Sequence, residues 1–349
     1  MQEEIKLTQY SKGSGCGCKI APATLKEILH TPEEFPQHPH LLVGSETHDD
    51  AAVFAWNEQE GLISTTDFFM PMVDDAYSFG KIAAANALSD VYAMGGSPMM
   101  ALAILGWPIE KIPASYAAQV LEGARFVCRM AGIPLAGGHS IESSEPIFGL
   151  SVNGRVENKN LLRNGGARPG DMLYLTKPLG AGIITAAMKR GQLIDAAHLD
   201  TCVTYMSTLN KFGEQIAAHV EVHAMTDVTG FGLAGHLLEM CEASGTTANI
   251  DFSALPVYPF LDSYVAAHIY PDMTMKNYAH YASKIDQLSL QQLLVMCDPQ
   301  TSGGLLIAVP PSASAALEQR MHDFGCGGFA QPIGVMVERK EKLISLESK

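Results

Sequence analysis

One polar stretch, residues 157–170, divides this sequence of 349 residues. It is rich in Asn, Arg, Gly and Pro, the residues of exposed connections. On either side short apolar runs alternate with helical stretches, which argues for an α/β or α+β protein of two halves rather than one large domain. In the first half, residues 51–56 and 62–67 read as strands, the second ending on Asp67. Ser78 is the expected N-cap of a helix running to about residue 94, with Gly95-Gly96 as its stop. The continuous apolar run 99–105 reads as a buried strand, and 115–130 as a helix closed by Gly132. Residues 133–136 form a short strand running into a Gly137-Gly138-His139-Ser140 turn, and 146–156 complete the half as a strand. The second half reads as a strand at 172–176, a helix opened by residues 179–182, a helix at 204–218, and a turn at 226–232 leading into a helix that ends near Gly245. A strand at 303–309, a helix at 313–324 and two short strands follow.

Ahead of this alternation the first 20 residues show no periodicity and read as a mobile loop, and residues 31–40, with three prolines, as a connector. Apolar residues make up 47% of the chain and charged residues 17%, which is ample core material and the wrong balance for long disorder. A net charge of -14 disfavours a nucleic-acid partner, because phosphate backbones repel an acidic chain. The seven cysteines are odd in number and mostly scattered, as expected of reduced thiols in the cytoplasm. The N-terminus has no apolar signal-like region and no apolar run is long enough to span a bilayer.

Five acids stand in apolar or glycine-rich surroundings: Asp49 and Asp50 at the mouth of a strand, Asp67 at the end of the next, Asp90 in an Ala-rich helix one turn after Asn86, and Asp227 in a Thr-Asp-Val-Thr-Gly turn. Singly, each reads as a turn residue, ion-pair partner or helix cap. Together they repel one another unless a cation neutralises them, and all-oxygen donors suit Mg²⁺ or Mn²⁺, Mg²⁺ usually being held by one or two carboxylates plus substrate phosphates. The glycines at 137 and 138 allow close backbone approach to a ligand, although neither G-x-x-x-x-G-K-[ST] nor a helix-opening G-x-G-x-x-G occurs. His139 could be a ligand, but an isolated His is more often a hydrogen-bonded structural residue. In Gly13-Ser14-Gly15-Cys16-Gly17-Cys18-Lys19, a loop cysteine is expected to be exposed, with its pKa lowered by Lys19. Cys16 or Cys18 is thus a candidate nucleophile or carrier of a soft atom, and Lys19 a point charge for phosphate. Two cysteines without a second pair do not make a structural zinc site. The segment 298–306, Asp-Pro-Gln-Thr-Ser-Gly-Gly-Leu-Leu, is either a structural turn or part of a site.

The stretches LTQYSKGSGCGCKI (7–20), DDAAV (49–53), STTDFFMP (64–71), ANALSDVYAMGG (85–96), AILGWP (103–108), LAGGHSIE (135–142), MTDVTGFGLAGHLLEM (225–240) and CDPQTSGGLL (297–306) resemble, in order and over nearly the whole chain, the selenophosphate synthetase (selenide, water dikinase) family. The Gly-Cys-Gly-Cys-Lys stretch is the specific discriminator within the wider superfamily. The resemblance implies a two-domain aminoimidazole-ribonucleotide-synthetase-like fold, an N-terminal sheet forming a barrel across a homodimer, and a C-terminal α/β sandwich. It implies a glycine-rich segment at 1–48, an ATP- and metal-binding dimerisation domain at 49–157, and an α/β domain at 170–349. ATP, selenide and water would give selenophosphate, phosphate and AMP, with Mg²⁺ required and K⁺ as activator. Carried across, Cys16 and Lys19 are the catalytic pair. Asp50, Asp90 and Asp227 hold metal. Lys19, Thr47, His48, Asp49, Asp67, Asp90, Gly138, His139 and Ser140 contact nucleotide. His48 stands where close relatives are expected to carry Arg, and Cys16 is Cys, so no selenocysteine is needed. Two other readings are a thiamine-monophosphate kinase or amidine-forming synthetase of the same fold, which would not need Cys16 or Lys19, and a non-catalytic thiol carrier, which would not need the acids.

Overall fold

The computed structural model describes residues 5–20, 22–29, 38–44 and 49–347. After a helix α1 (Pro22–Leu29), the first half contributes β1 (Leu41–Val43), β2 (Ala52–Ala55), β3 (Glu60–Phe69), α2 (Ala76–Ala93), β4 (Ser97–Trp107), α3 (Ala114–Ala131), β5 (Leu135–Glu142) and β6 (Ile147–Glu157). Its strands form one sheet in the order β1-β2-β3-β6-β4-β5, antiparallel throughout except for the β4–β5 pair. Alternation decides the faces. Ile63, Phe69, Ala101, Ala103, Leu150 and Val152 are buried beneath the helices, whereas Phe68, Met100, Leu102 and Ile141 remain exposed on the other face.

α2 is the central element. It lies against β3 and β6, crosses α3, and on its far side meets the second half of the chain. Fifteen of its 18 residues are therefore buried, which explains the run of alanines in place of an amphipathic stripe. The crossing with α3 is close enough to require glycine twice: a Cβ at Gly80 would lie 1.9 Å from the Val120 carbonyl oxygen, and one at Gly123 2.0 Å from that of Tyr77. The helix starts two residues before the expected N-cap. Asp75 is the cap, its carboxylate accepting from the Ser78 N–H at 2.7 Å, so Ser78 is the third residue of the helix.

The second half contains β7 (Met172–Leu175), α4 (Ala181–Lys189), α5 (Ala196–Met206), α6 (Phe212–Ala217), β8 (Ala224–Asp227), α7 (Gly232–Ser244), β9 (Thr246–Ile250), α8 (Leu261–Ala266), α9 (Asp272–Tyr281), α10 (Leu290–Met296), β10 (Leu305–Val309), α11 (Pro311–Asp323), β11 (Gly334–Glu338) and β12 (Ile344–Leu346). Its sheet runs β12-β9-β11-β7-β10-β8, antiparallel except at β12–β9, with β10 buried along its whole length.

Four local expectations change. The apolar run 99–105 is a strand but not a buried one, since Met99, Met100 and Leu102 are exposed. The Gly138-His139-Ser140 stretch is not a turn: it is strand β5, paired in parallel with Ala103, Ile104 and Leu105. The helix expected over 204–218 is broken between α5 and α6, because Asn210 turns inward and donates both to Ser89 Oγ and to the Gly303 carbonyl at 2.8 Å. The N-terminal stretch 5–20 is docked rather than loose. Leu7 is fully buried, Thr8 donates its N–H and hydroxyl to Asp74, and short 3₁₀ turns form at Leu7–Tyr10 and Cys16–Cys18. Of the expected connector, residues 31–37 lie outside the described residues.

Candidate active site

The site forms where the docked N-terminal stretch, α2, the end of β3, the end of β8 and the 297–304 loop meet. One face of α2 presents Asn86, Ser89 and Asp90 at helical spacing. β3 places Thr65 and Asp67 opposite that face: the Thr65 hydroxyl donates to Asp90, and the Asn86 amide donates to Asp67. Asn86 Oδ1 accepts from the Ser302 N–H at 2.8 Å and from the Cys16 thiol at 3.3 Å. The Cys16 N–H in turn donates to Thr301 Oγ1 at 3.1 Å. Asn86 thus ties the thiol, an acid and the 297–304 loop to one side chain. The turn carrying Cys16 lies so close to the start of α7 that a Cβ at Gly230 would stand 2.5 Å from the Cys16 carbonyl oxygen and 3.1 Å from the Lys19 side chain.

Asp50, Asp90 and Asp227 come together as a mutually repelling group. Burial is the main cause that raises each carboxyl above its ordinary range. Asp227 and Asp90 add to it at Asp50, Asp227 and Asp67 add to it at Asp90, and Asp67 adds to it at Asp227, where Ser89, His236 and Lys19 pull the other way. Thr226 Oγ1 donates to Asp50 at 2.8 Å, but Asp50 Oδ2 and Asp227 Oδ2 are buried with no hydrogen-bond partner. A buried carboxylate oxygen left unpaired costs on the order of 1–3 kcal/mol or more. Clustered, all-oxygen and partly orphaned donors fit a hard divalent cation. Among the described residues no group of three or more His, Cys, Asp or Glu side chains is placed to hold a metal ion by itself, so a cation here would draw on fewer carboxylates and complete its shell with water and phosphate.

Lys19 faces these acids. Burial opposes its charge, but Asp67, Cys16, Asp90 and Asp227 outweigh that and hold its pKa above the ordinary lysine value. Its ammonium also sits 5.8 Å from the Phe231 ring centroid.

Cys16 corrects the sequence reading. It is 0% exposed, and burial followed by Asp67 pushes its thiol pKa well above the usual value despite the opposing pull of Lys19. The partly buried Cys18 is also raised, again chiefly by burial. The thiol expected to be exposed and acidified is docked, buried and less acidic than a free one.

The other expected site residues divide. Asp49 Oδ1 accepts from the Asn164 N–H at 2.8 Å, tying the mouth of β2 to the connection between the halves. Thr47 and His48 lie outside the described residues. Gly138, His139 and Ser140 are not brought to the acids: β6 and β4 stand between β5 and β3, roughly 14 Å at the usual strand spacing. Sequence reasoning missed Lys177, which is buried and donates to the carbonyls of Thr208 (2.7 Å) and Ser302 (2.9 Å). Its burial lowers its pKa to about 7, against the pull of Asp227. Ser302 itself has a positive φ of 52°, an uncommon backbone for serine, held from both sides by Asn86 and Lys177. The 297–304 loop also steadies α4: Gln300 Oε1 accepts from the N–H groups of Gly180 and Ala181, and Asp298 Oδ2 accepts from that of Gly182.

The chain matches two family descriptions: AIR synthase related protein, N-terminal domain, over residues 48–156, and AIR synthase related protein, C-terminal domain, over 168–345. It is 51% identical over 344 residues to a selenide, water dikinase of Colwellia psychrerythraea, covering 99% of each chain. It is 50% identical over 346 residues to that of Pseudomonas putida, covering 99% of this chain and 100% of the relative. Among solved structures, AaThiL complexed with AMPPCP and TMP superposes with a TM-score of 0.66 at 18% identity, covering 94% of this chain and 92% of that one. Hydrogenase Maturation Protein HypE in complex with ATP superposes with a TM-score of 0.65 at 18% identity, covering 89% and 87%. At that identity these two structures speak for the fold alone.

Proposed function

The chain belongs to the selenide, water dikinase family of AIR synthase related proteins, and from that premise we propose that the acids, Lys19 and Cys16 described above are its catalytic machinery. The activity of the family is ATP-dependent synthesis of selenophosphate from selenide and water, with phosphate and AMP as the other products. The observation that carries the site assignment is the link through Asn86, which joins a soft thiol to Asp67, the acid whose charge acts on Asp90 and Asp227. A kinase for a hard oxygen acceptor has no need of that thiol, and a thiol carrier has no need of those acids.

Phosphoryl transfer asks a protein mainly for positioning and charge neutralisation. Asp50, Asp90 and Asp227 would hold Mg²⁺, which when bound neutralises charge on phosphate oxygens. Lys19, whose acidic neighbours favour its charged form, would face the transferring phosphoryl group. Cys16, buried in this structure, would present sulfur, a soft atom, to the selenium species once that species reaches it, and a site closed around the pair would keep water from the acceptor. Thr301 and Asn86 hold that thiol in place. In this reading residues 1–48 carry the catalytic pair, 49–157 the metal and nucleotide site, and 170–349 the wall against which both are held. K⁺ as activator rests on the family resemblance alone.

We further propose a homodimer. Every residue of β5 from Ala136 to Glu142 is exposed at the edge of the first sheet. An open edge beside an exposed apolar face is a pairing surface. Sheet-to-sheet pairing there gives Gly138, His139 and Ser140 a place beside nucleotide that the single chain does not. Seven unpaired cysteines support a reducing, cytoplasmic setting, and among the described residues no helix is long and apolar enough to cross a membrane.

Replacing Asp227 with Asn tests the metal assignment. Calorimetric titration with an ATP analogue and Mn²⁺ is expected to show metal-dependent nucleotide affinity falling at least tenfold in the variant, about 1.4 kcal/mol. Unchanged metal-dependent binding would remove Asp227 from the metal site.

A further inference from the structure

Lys189 ends α4, in the second half of the chain and outside every stretch that carries the family resemblance. Its ammonium reaches across to the N-terminal stretch and donates to three consecutive backbone carbonyls, those of Ser11 (2.8 Å), Lys12 (3.3 Å) and Gly13 (3.0 Å). Carbonyl dipoles turned to one point repel one another, so a cation there holds a backbone shape that the segment would not otherwise keep. The position also suits the helix, whose C-terminal end favours positive charge. Two acids work beside it. Asp74 accepts from the N–H and hydroxyl of Thr8, and Glu145 accepts from the Lys12 N–H at 3.1 Å. The charges of both act on Lys189. Three residues beyond this clamp the chain reaches Cys16, fully buried beneath the turn it belongs to.

We propose that Lys189 is a positioning residue, a latch that holds residues 11–13 down, keeps Cys16 against Asn86, and must let go for a selenium species to reach the thiol. It touches none of the reacting groups and acts through the backbone it grips. The inference rests on the reading of Cys16 given above.

The test is the rate at which Cys16 reacts with iodoacetamide at fixed pH, followed by peptide mass spectrometry on the full-length native chain. The fully buried Cys202 and Cys241, placed elsewhere, serve as internal references. In Lys189→Met, Cys16 is expected to react about tenfold faster with both references unchanged, as local opening requires. Lys189→Arg, which keeps donors and charge, is expected to return the rate to near the wild-type value. Selenide-dependent AMP formation in the Met variant is expected to lose several-fold in kcat with little change in KM for ATP. Lys189→Gln gives the same comparison if the Met variant does not fold. An unchanged Cys16 rate, or a rise at all three cysteines together, overturns the latch. Alkylation needs no turnover, so a Cys16 response in a chain that makes no selenophosphate would sink the functional reading while leaving the latch in place.

Discussion

Cys16 donates its thiol proton to Asn86, which also receives the Ser302 N–H and donates to Asp67. Asn86 was legible only as a neighbour of Asp90 on a helix face, since nothing in a linear sequence says that an amide will join three segments. Cys16 was legible as a chemical candidate, but its environment was not. A glycine-rich stretch reads as loose, and only tertiary docking makes the thiol buried and less acidic. Lys177 gave no signal, because its partners are backbone carbonyls. It does give a pH prediction. Its folded pKa of about 7 lies below the ordinary lysine value. A depressed lysine contributes stability that is full above the unfolded pKa and is lost as pH falls through the folded one. Wild-type stability to urea should therefore fall relative to Lys177→Met as pH drops from 10 to 7.5, by up to about 1.4 kcal/mol per unit from this group. Parallel pH profiles for the two proteins would show that Lys177 is not the source.

Among the elements, strands and helices flanked by glycine were readable because period and punctuation agree. β5 was read short because its glycines suggested a turn, whereas pairing with β4 extends it through His139 to Glu142. The break between α5 and α6 follows from the long-range bonds of Asn210, which a local pattern does not contain. The α2–α3 crossing is a close backbone approach. Gly80→Ala places a methyl against the Val120 carbonyl, where the backbone must move. A loss of about 1–3 kcal/mol is expected, measured as a lower urea midpoint with an unchanged slope. An unchanged midpoint would mean that the helices cross farther apart.

In the whole molecule the two halves meet along α2, and the proposed catalytic groups are drawn from both sides of that seam. The open edge of β5 and the apolar Phe68, Met100, Leu102 and Ile141 on the exposed face predict a second copy paired there. Sedimentation should give twice the 37.4 kDa chain mass, and Leu102→Glu should shift it toward one chain with loss of turnover. A wild-type protein that sediments as a single chain would contradict the pairing. We propose that a buried thiol, held by α2 and the docked N-terminal stretch, serves selenium phosphorylation in an ATP site. Anaerobic ³¹P NMR with Mg–ATP, K⁺ and selenide tests it most directly, on the wild-type chain and on Cys16→Ser. A phosphorus signal with selenium satellites, appearing with AMP and phosphate, is expected in the wild type and not in the variant. The same signal at the same rate in Cys16→Ser, or ATP consumption that ignores selenide in the wild type, would contradict it.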